Sequence, residues 1–342
     1  MTLKERIESF SEMGKILRDS LEGIDTIYSS DLLHLINNQQ YKNPWFTPEN
    51  VTQAIKALAD ELTQENITKW TNSYPSLDSA DNGLNVGVIM AGNIPLVGFH
   101  DFLSVLISGN NLIAKTSSKD PELIVCVSNI LCNINPGFKR RITFTEGLLK
   151  GFDAVIATGS DNSSRYFEYY FGEYPHIIRK SRNSIAIIEG NETEEELSRL
   201  GSDVFSYFGL GCRSVSKMYI PTGFDISKMT QSWSRFSTII NHYKYANNYD
   251  YNKAVFMVNK EEFIDTGYLL LKESKGISSP AAVLHFDRYN SLNDVFQEVE
   301  ENKEKIQCVI GSKSIPFGMA QSPHLWDYAD GKDTLDFLLK KK

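Results

Sequence analysis

The feature that most constrains this chain is a change of rhythm near residue 84. From there to about residue 310, short apolar runs alternate with helical patterns, which is how a parallel sheet built from β-α-β units reads. Strands are expected at 85–90, 112–115, 153–157 and 184–188, with helices starting near Pro121 and across 162–170. Asp120 supplies a cap and Pro121 a first helical residue. A further helix is expected over 194–208, capped by Thr193 with Glu196 three residues inside and stopped by Gly209. Strands expected at 215–220, 254–258, 282–286 and 307–310 then alternate with helical stretches, so the second half is α/β as well. At 342 residues, against roughly 100–200 per domain, two packed domains are expected. They are placed at 1–188 and 189–315, with a tail over 316–342 that packs back or lies at an oligomer interface.

The formal charge of −8 argues against a nucleic-acid surface, because phosphate contacts need clustered Lys and Arg. Small basic clusters at 139–141 and 179–182 remain as places for a ligand phosphate. The opening MTLKERIESFSEMGKIL is an amphipathic helix with a Thr2/Glu5 capping box and lacks the apolar core of a signal peptide, so a cytoplasmic protein is expected. The longest apolar stretch, 86–107, is interrupted by Asn93, Pro95, His100 and Asp101, and no membrane span is expected.

Cysteines at 126, 132, 212 and 308 show no CxxC spacing and no clustering with histidine, which fits reduced thiols and no metal site. Cys126, Cys132 and Cys308 lie in apolar runs, as structural cysteines do. Cys212 differs, because it sits in FGLGCRSVS between Gly209, Gly211 and a strand. A glycine-hinged turn exposes a side chain, and a thiol is a few per cent anionic near neutral pH, so Cys212 is the candidate nucleophile. The preceding helix ends there, so its dipole opposes a thiolate.

Four separated segments, VGVIMAGNIPLVGF, GNNLIAKTSSKDP, FDAVIATGS and GLGCRSVSKMYIP, taken in this order, resemble the aldehyde dehydrogenase superfamily, and specifically its acyl-CoA reductase branch. VGVIMAGNIPLVGF resembles the segment whose Asn supplies the oxyanion-hole amide, a role that the resemblance gives to Asn93. GNNLIAKTSSKDP resembles the strand whose terminal Lys contacts the adenosine ribose, which implies that role for Lys115. Where relatives follow with a ribose-gripping Glu, this chain has Ser118 and then Lys119, a pair suited to a 2′-phosphate and hence to NADPH over NADH. FDAVIATGS resembles the element that approaches the dinucleotide phosphates, implying contacts from Thr158, Gly159 and Ser160. GLGCRSVSKMYIP resembles the nucleophile segment, with Lys217 where the family carries a basic residue. The tail FGMAQSPHLWDYADGKDTLDFL is similar to the ending of acyl-CoA reductases related to LuxC. The resemblance implies two Rossmann-type domains, 1–188 binding the dinucleotide and 189–315 bearing the nucleophile, and a homo-oligomer.

Two family residues are replaced. The glutamate that activates water, 34 residues before the nucleophile, falls on Ile178, and the one that holds the nicotinamide ribose falls near Ser278. Glu189 ends a strand eleven residues beyond position 178 and is assigned to a loop. An aliphatic residue takes no proton from water, so the expected reaction is NADPH-dependent reduction of an acyl-CoA or acyl-carrier-protein thioester to aldehyde through a Cys212 S-acyl-enzyme. The alternatives are an acyl-phosphate reductase of the glutamyl phosphate reductase type, a non-catalytic dinucleotide-binding protein, and a Cys hydrolase assisted by His100, His176, His242, His285 or His324.

Overall fold

The computed structural model describes residues 1–79 and 83–340; residues 341 and 342 of the expected tail lie outside the described residues. It divides into two compact units, one of Met1–Ser181 with His324–Lys342 and one of Arg182–Pro323.

The first unit begins with four helices, α1 (Leu3–Leu21), α2 (Ser29–Lys42), α3 (Pro48–Glu61) and α4 (Gln64–Asn72). The capping box opens α1: Thr2 Oγ1 accepts from Glu5 N at 3.2 Å, and the Glu5 carboxylate accepts from Thr2 N at 2.7 Å. The α/β part then runs β1 (Asn85–Ile89), α5 (Phe99–Ile107), β2 (Asn111–Lys115), α6 (Leu123–Ile134), β3 (Ile142–Thr145), β4 (Ala154–Thr158), α7 (Asp161–Phe171) and β5 (His176–Arg179). All five strands are parallel, in the order β3-β2-β1-β4-β5. Phe10, Met13 and Leu17 of α1 join Val51 and Ile55 of α3, Phe102 of α5 and Val127 of α6 in one core with Val86, Val88 and Leu112 of the sheet. Val155, Ala157 and Ile178 form a second cluster with Phe167 and Phe171 of α7. The strand order reverses between β1 and β4, the topological switch point beside which α/β sheets bind ligands.

The second unit comprises β6 (Asn183–Ile187), α8 (Glu194–Phe205), β7 (Val215–Pro221), α9 (Ile226–Ser232), α10 (Tyr243–Asn259), β8 (Ile264–Asp265), β9 (Leu270–Glu273), β10 (Val283–Tyr289), α11 (Leu292–Glu301) and β11 (Ile306–Ile310). Its sheet, β11-β6-β7-β10-β9-β8, is parallel apart from the antiparallel β8–β9 pair. Strand β6 pairs with β7 and β11, so it belongs with 182–323, whereas the sequence reading put it at the end of a first domain closing at 188.

Two expected elements are corrected. The apolar run 254–258 is not a strand but the last turns of α10, which buries Tyr245, Tyr249, Asn252 and Phe256 at helical spacing and leaves Met257 63% and Val258 80% exposed. Helix α8 ends at Phe205, not Phe208. Among the described residues no helix is long and apolar enough to cross a membrane.

The expected tail is shared: 316–323 lie in the second unit and 324–340 in the first, where a closing helix spans Thr334–Leu339. Polar contacts seat the latter part. Trp70 Nε1 donates to Tyr328 Oη at 2.7 Å, Tyr74 Oη to Asp333 at 2.6 Å and Lys332 Nζ to Ile178 O at 3.1 Å. Beneath them, Arg179 pairs with Asp101 at 2.5 Å and donates to Thr334 Oγ1 at 2.9 Å, with both charged residues buried. Removing one member of a buried pair strands the other charge, so Asp101→Leu should cost about 3–5 kcal/mol in urea unfolding. Asp101→Leu/Arg179→Met should cost clearly less than Asp101→Leu alone, and a larger loss in the double variant would contradict this account.

Candidate functional site

The residues proposed to meet a dinucleotide leave the carboxyl ends of β1, β2 and β4. The loop after β1 carries half-buried Asn93 and passes a turn closed by the Ser117–Asp120 bridge. A Cβ on Gly92 would sit 2.5 Å from Ser117 Oγ and 2.7 Å from Ser117 Cβ, so only glycine lets the strand exit close on that turn. Leu96 takes a left-handed φ of 57°, and its N–H donates to Asp120 Oδ2 at 2.9 Å. Asp120 therefore fastens the Asn93 loop instead of simply starting the next helix, which begins two residues later than Pro121. Burial pushes the Asp120 carboxyl up from 3.8 to about 6 despite bonds from Leu96 and Leu123 N–H, and its Oδ1 finds no hydrogen-bond partner among the described residues.

Lys115 closes β2, its carbonyl accepting from Met90 N at 3.0 Å. Ser118 and Lys119 occupy the exposed tip of the 117–120 turn. Thr158 closes β4, Gly159 N donates to Arg179 O at 3.2 Å, and Ser160 caps α7 by accepting from Ser163 N at 3.3 Å. Asn93, Lys115, Ser118, Lys119, Thr158, Gly159 and Ser160 thus share one edge of the first sheet.

Cys212 lies in the second unit, in the turn leading into β7. After α8, Tyr207 (φ 53°), Phe208 (φ 59°) and Gly209 (φ 74°) are all left-handed. For the two non-glycine residues this costs about 1–2 kcal/mol each, and the Phe208 ring is held against His242 with centroids 4.3 Å apart. Ser214 N donates to Gly211 O at 2.9 Å, closing the turn around half-buried Cys212. The Cys212 carbonyl accepts from Ser184 Oγ at 2.9 Å, and Arg213 Nε donates to Ala320 O at 2.5 Å. Buried Asp203 accepts from Gly318 N at 2.6 Å and Ala320 N at 2.9 Å, and burial raises its pKa to about 6.

Lys217 turns inward. It is fully buried, 3.4 Å from both Asp287 and Glu298, and it donates to Lys275 O at 3.1 Å. Ile178 is 5% exposed and packs in the cluster beneath α7, so its side chain is a core residue; a carboxylate there would enter an apolar environment. Ser278 is exposed in the loop after β9, and Glu189 is exposed after β6 with its N–H bonded to Glu192. The five histidines considered above have structural contacts: His100 with Leu325 O, His176 with Tyr174 O, His242 with Tyr245 N, His285 with Gly276 O and His324 with Glu61. Among the described residues no group of three His, Cys, Asp or Glu could hold a metal. Sequence reasoning missed Ser184, Asp203 and the clamping role of Asp120; the only signal for any of them was the Asp-Pro pair.

A carboxyl whose pKa rises from 3.8 to about 6 binds its proton more tightly folded than unfolded. Its stabilising effect is complete below about pH 4 and is lost as pH rises through about 6, a change of about 3 kcal/mol. Wild type should therefore lose stability to urea relative to Asp120→Asn between about pH 4 and 7. Parallel pH profiles of the two proteins would rule out a buried, proton-binding Asp120.

Comparison with known proteins places this geometry. The family model for acyl-CoA reductase (LuxC) matches residues 24–235. The long-chain acyl-protein thioester reductase of Aliivibrio fischeri is 24% identical over 207 residues, 55% of this chain and 42% of the relative. Long-chain acyl-protein thioester reductase 2 of Photobacterium leiognathi is 24% identical over 203 residues, 54% of this chain and 42% of the relative. The match thus spans less than half the length of these curated relatives. Among solved structures, aldehyde dehydrogenase 21 of Physcomitrella patens, in complex with succinate, superposes with a TM-score of 0.65 at 13% identity over 92% of this chain and 74% of that one. An aldehyde dehydrogenase of Mycobacterium tuberculosis complexed with NAD+ gives 0.64 at 12% identity over 94% and 76%. The fold is aldehyde dehydrogenase-like, and the chain belongs to the acyl-CoA reductase (LuxC) family.

Proposed function

We propose that this chain reduces an acyl thioester to an aldehyde with NADPH, through an S-acyl group on Cys212. The observation that carries the reading is the Cys212 turn, set off by a left-handed break and anchored at the Cys212 carbonyl and at Arg213 in a member of this family. The names of the curated relatives support a long-chain acyl-protein thioester as donor, and the description of the matching family supports acyl-CoA.

In this reading the Cys212 thiol gives up its proton, its thiolate attacks the acyl carbonyl, the carbon–sulfur bond of the donor breaks, and the departing donor thiolate takes up that proton. The family resemblance gives the oxyanion-stabilising role to the Asn93 amide and to the Cys212 backbone N–H. Ile178 sits in a hydrophobic core and offers no base to water, so the acyl group persists on sulfur. NADPH, when bound, would supply the hydride that takes the acyl carbon to the aldehyde level, and breaking the carbon–sulfur bond to Cys212 would free the aldehyde and return the thiolate. The carboxyl ends of β1, β2 and β4 fit a dinucleotide: they flank a switch point, and Ser160 caps an 11-residue helix whose N-terminus favours phosphate. Lys115 would contact the ribose, Thr158, Gly159 and Ser160 would meet the phosphates, and Ser118 with exposed Lys119 would accept the 2′-phosphate.

Mixing with acyl-CoA in the absence of NADPH should add one acyl group to the intact mass, and Cys212→Ala should abolish it; an adduct that persists in the variant would refute the assignment. A charge-assisted contact to the 2′-phosphate is worth about 1.5–3 kcal/mol, so kcat/KM should favour NADPH by at least about tenfold. Ser118→Glu should shrink that preference, and an unchanged ratio would show that the 117–120 turn does not read the cofactor.

A further inference from the structure

Ser184, the second residue of β6, is fully buried, and both neighbouring strands slip register beside it. Ser184 and Ile185 pair with Val215 and Lys217, while Asn183 and Ile185 pair with Ile306 and Val309. Each neighbour therefore carries one extra residue at this level, the signature of a bulge that re-aims side chains. Ser184 Oγ lies 2.9 Å from the Cys212 carbonyl oxygen and 2.9 Å from Cys308 Sγ.

A hydroxyl has one hydrogen. Ser184 donates it to the Cys212 carbonyl, so in the Cys308 contact the thiol S–H donates to the serine oxygen. The result is a directed chain from Cys308 through Ser184 to the backbone of Cys212. Because the peptide unit is planar, fixing that carbonyl also fixes the Arg213 N–H and ψ of Cys212, and with them the heading of the Cys212 side chain. Residues on the far side of the turn are held separately, Arg213 by Ala320 O and Ser214 by Gln321.

We propose that Ser184 is a positioning residue that aims the Cys212 thiol, with Cys308 as the donor that holds the serine in place. This rests on Cys212 being the acyl acceptor, although alkylation tests the positioning without any acyl donor. Cys212 alkylation by iodoacetamide, followed by peptide mass, and acyl transfer from acyl-CoA without NADPH would be measured in the full chain, with melting curves as the fold control.

Folded Ser184→Ala should slow both reactions by about tenfold, the worth of one net hydrogen bond, with KM for the thioester unchanged. Cys308→Ala should slow them by a smaller factor, Cys308→Ser should restore the native rate, and Cys308→Ala should add nothing in the Ser184→Ala background. A native alkylation rate in folded Ser184→Ala, or additive losses in the double variant, would overturn the relay. If Ser184→Ala does not fold, the Cys308 pair decides, since equal rates in Cys308→Ala and Cys308→Ser also overturn it. Wild type that alkylates at Cys212 yet takes up no acyl group would instead defeat the thioester reading.

Discussion

Strand β1 is hydrogen-bonded to parallel partners along both edges, and the first unit's chemistry depends on that double pairing. Parallel strands deliver all their carboxyl ends to one edge of a sheet. Pairing β1 with β2 on one side and β4 on the other therefore gathers the Asn93 loop, the 115–120 segment and the 158–160 segment onto a single rim. None of these segments is near the others in sequence. Their proximity comes from ladder hydrogen bonds and from the apolar core that Val86 and Val88 share with the flanking helices.

Where the ladders end, buried polar side chains take over the task of holding backbone. Asp120 holds Leu96 N, Asp203 holds Gly318 and Ala320 N, and Lys217 holds Lys275 O. Buried backbone groups must be bonded, and irregular segments have no strand partner to bond them, so side chains are recruited from adjacent elements. Burial is offset unequally at these places: Lys217 has two carboxylates beside it, whereas backbone donors only partly counter the burial that raises Asp120 and Asp203 to about 6. The same device recurs in both units.

How much of this was legible depended on whether the signal was local. The capping boxes at Thr2/Glu5 and Thr193/Glu196 were readable because one turn of chain contains the whole interaction. The strands of both sheets that consist of β-branched runs were readable for the same reason. Strands β3, β5, β8 and β9 were not, each being four residues or fewer with polar residues among them. The 254–258 run misled because five apolar residues in a row carry no period of their own; only the buried positions upstream in α10 reveal the helix. Tyr207 and Phe208 carry no residue-type signal for left-handed backbone, and only Gly209 marked the place. The glycine-flanked setting singled out Cys212 as a candidate, but Ser184, 28 residues earlier, is joined to it only by the pairing of β6 with β7. Lys217 was legible as a position, while its burial among carboxylates was set by residues 70 and 81 positions away.

The division of the tail bears on how the protein acquires its structure during synthesis. Residues 182–323 are one uninterrupted stretch, so the second unit has everything it needs for its own core as soon as that stretch has emerged. The first unit is discontinuous. Leu325, Leu335 and Leu338 belong to the same apolar core as Phe10 and Val86, and Thr334 completes the buried Arg179 site. Closing that unit requires contacts across as many as 264 residues, the kind of long loop closure that slows folding. The unit whose residues mostly precede those of the other is thus finished after it. Until residues 325–338 appear, part of its apolar surface stays uncovered, which makes the nascent first unit the stretch of this chain most in need of protection from aggregation.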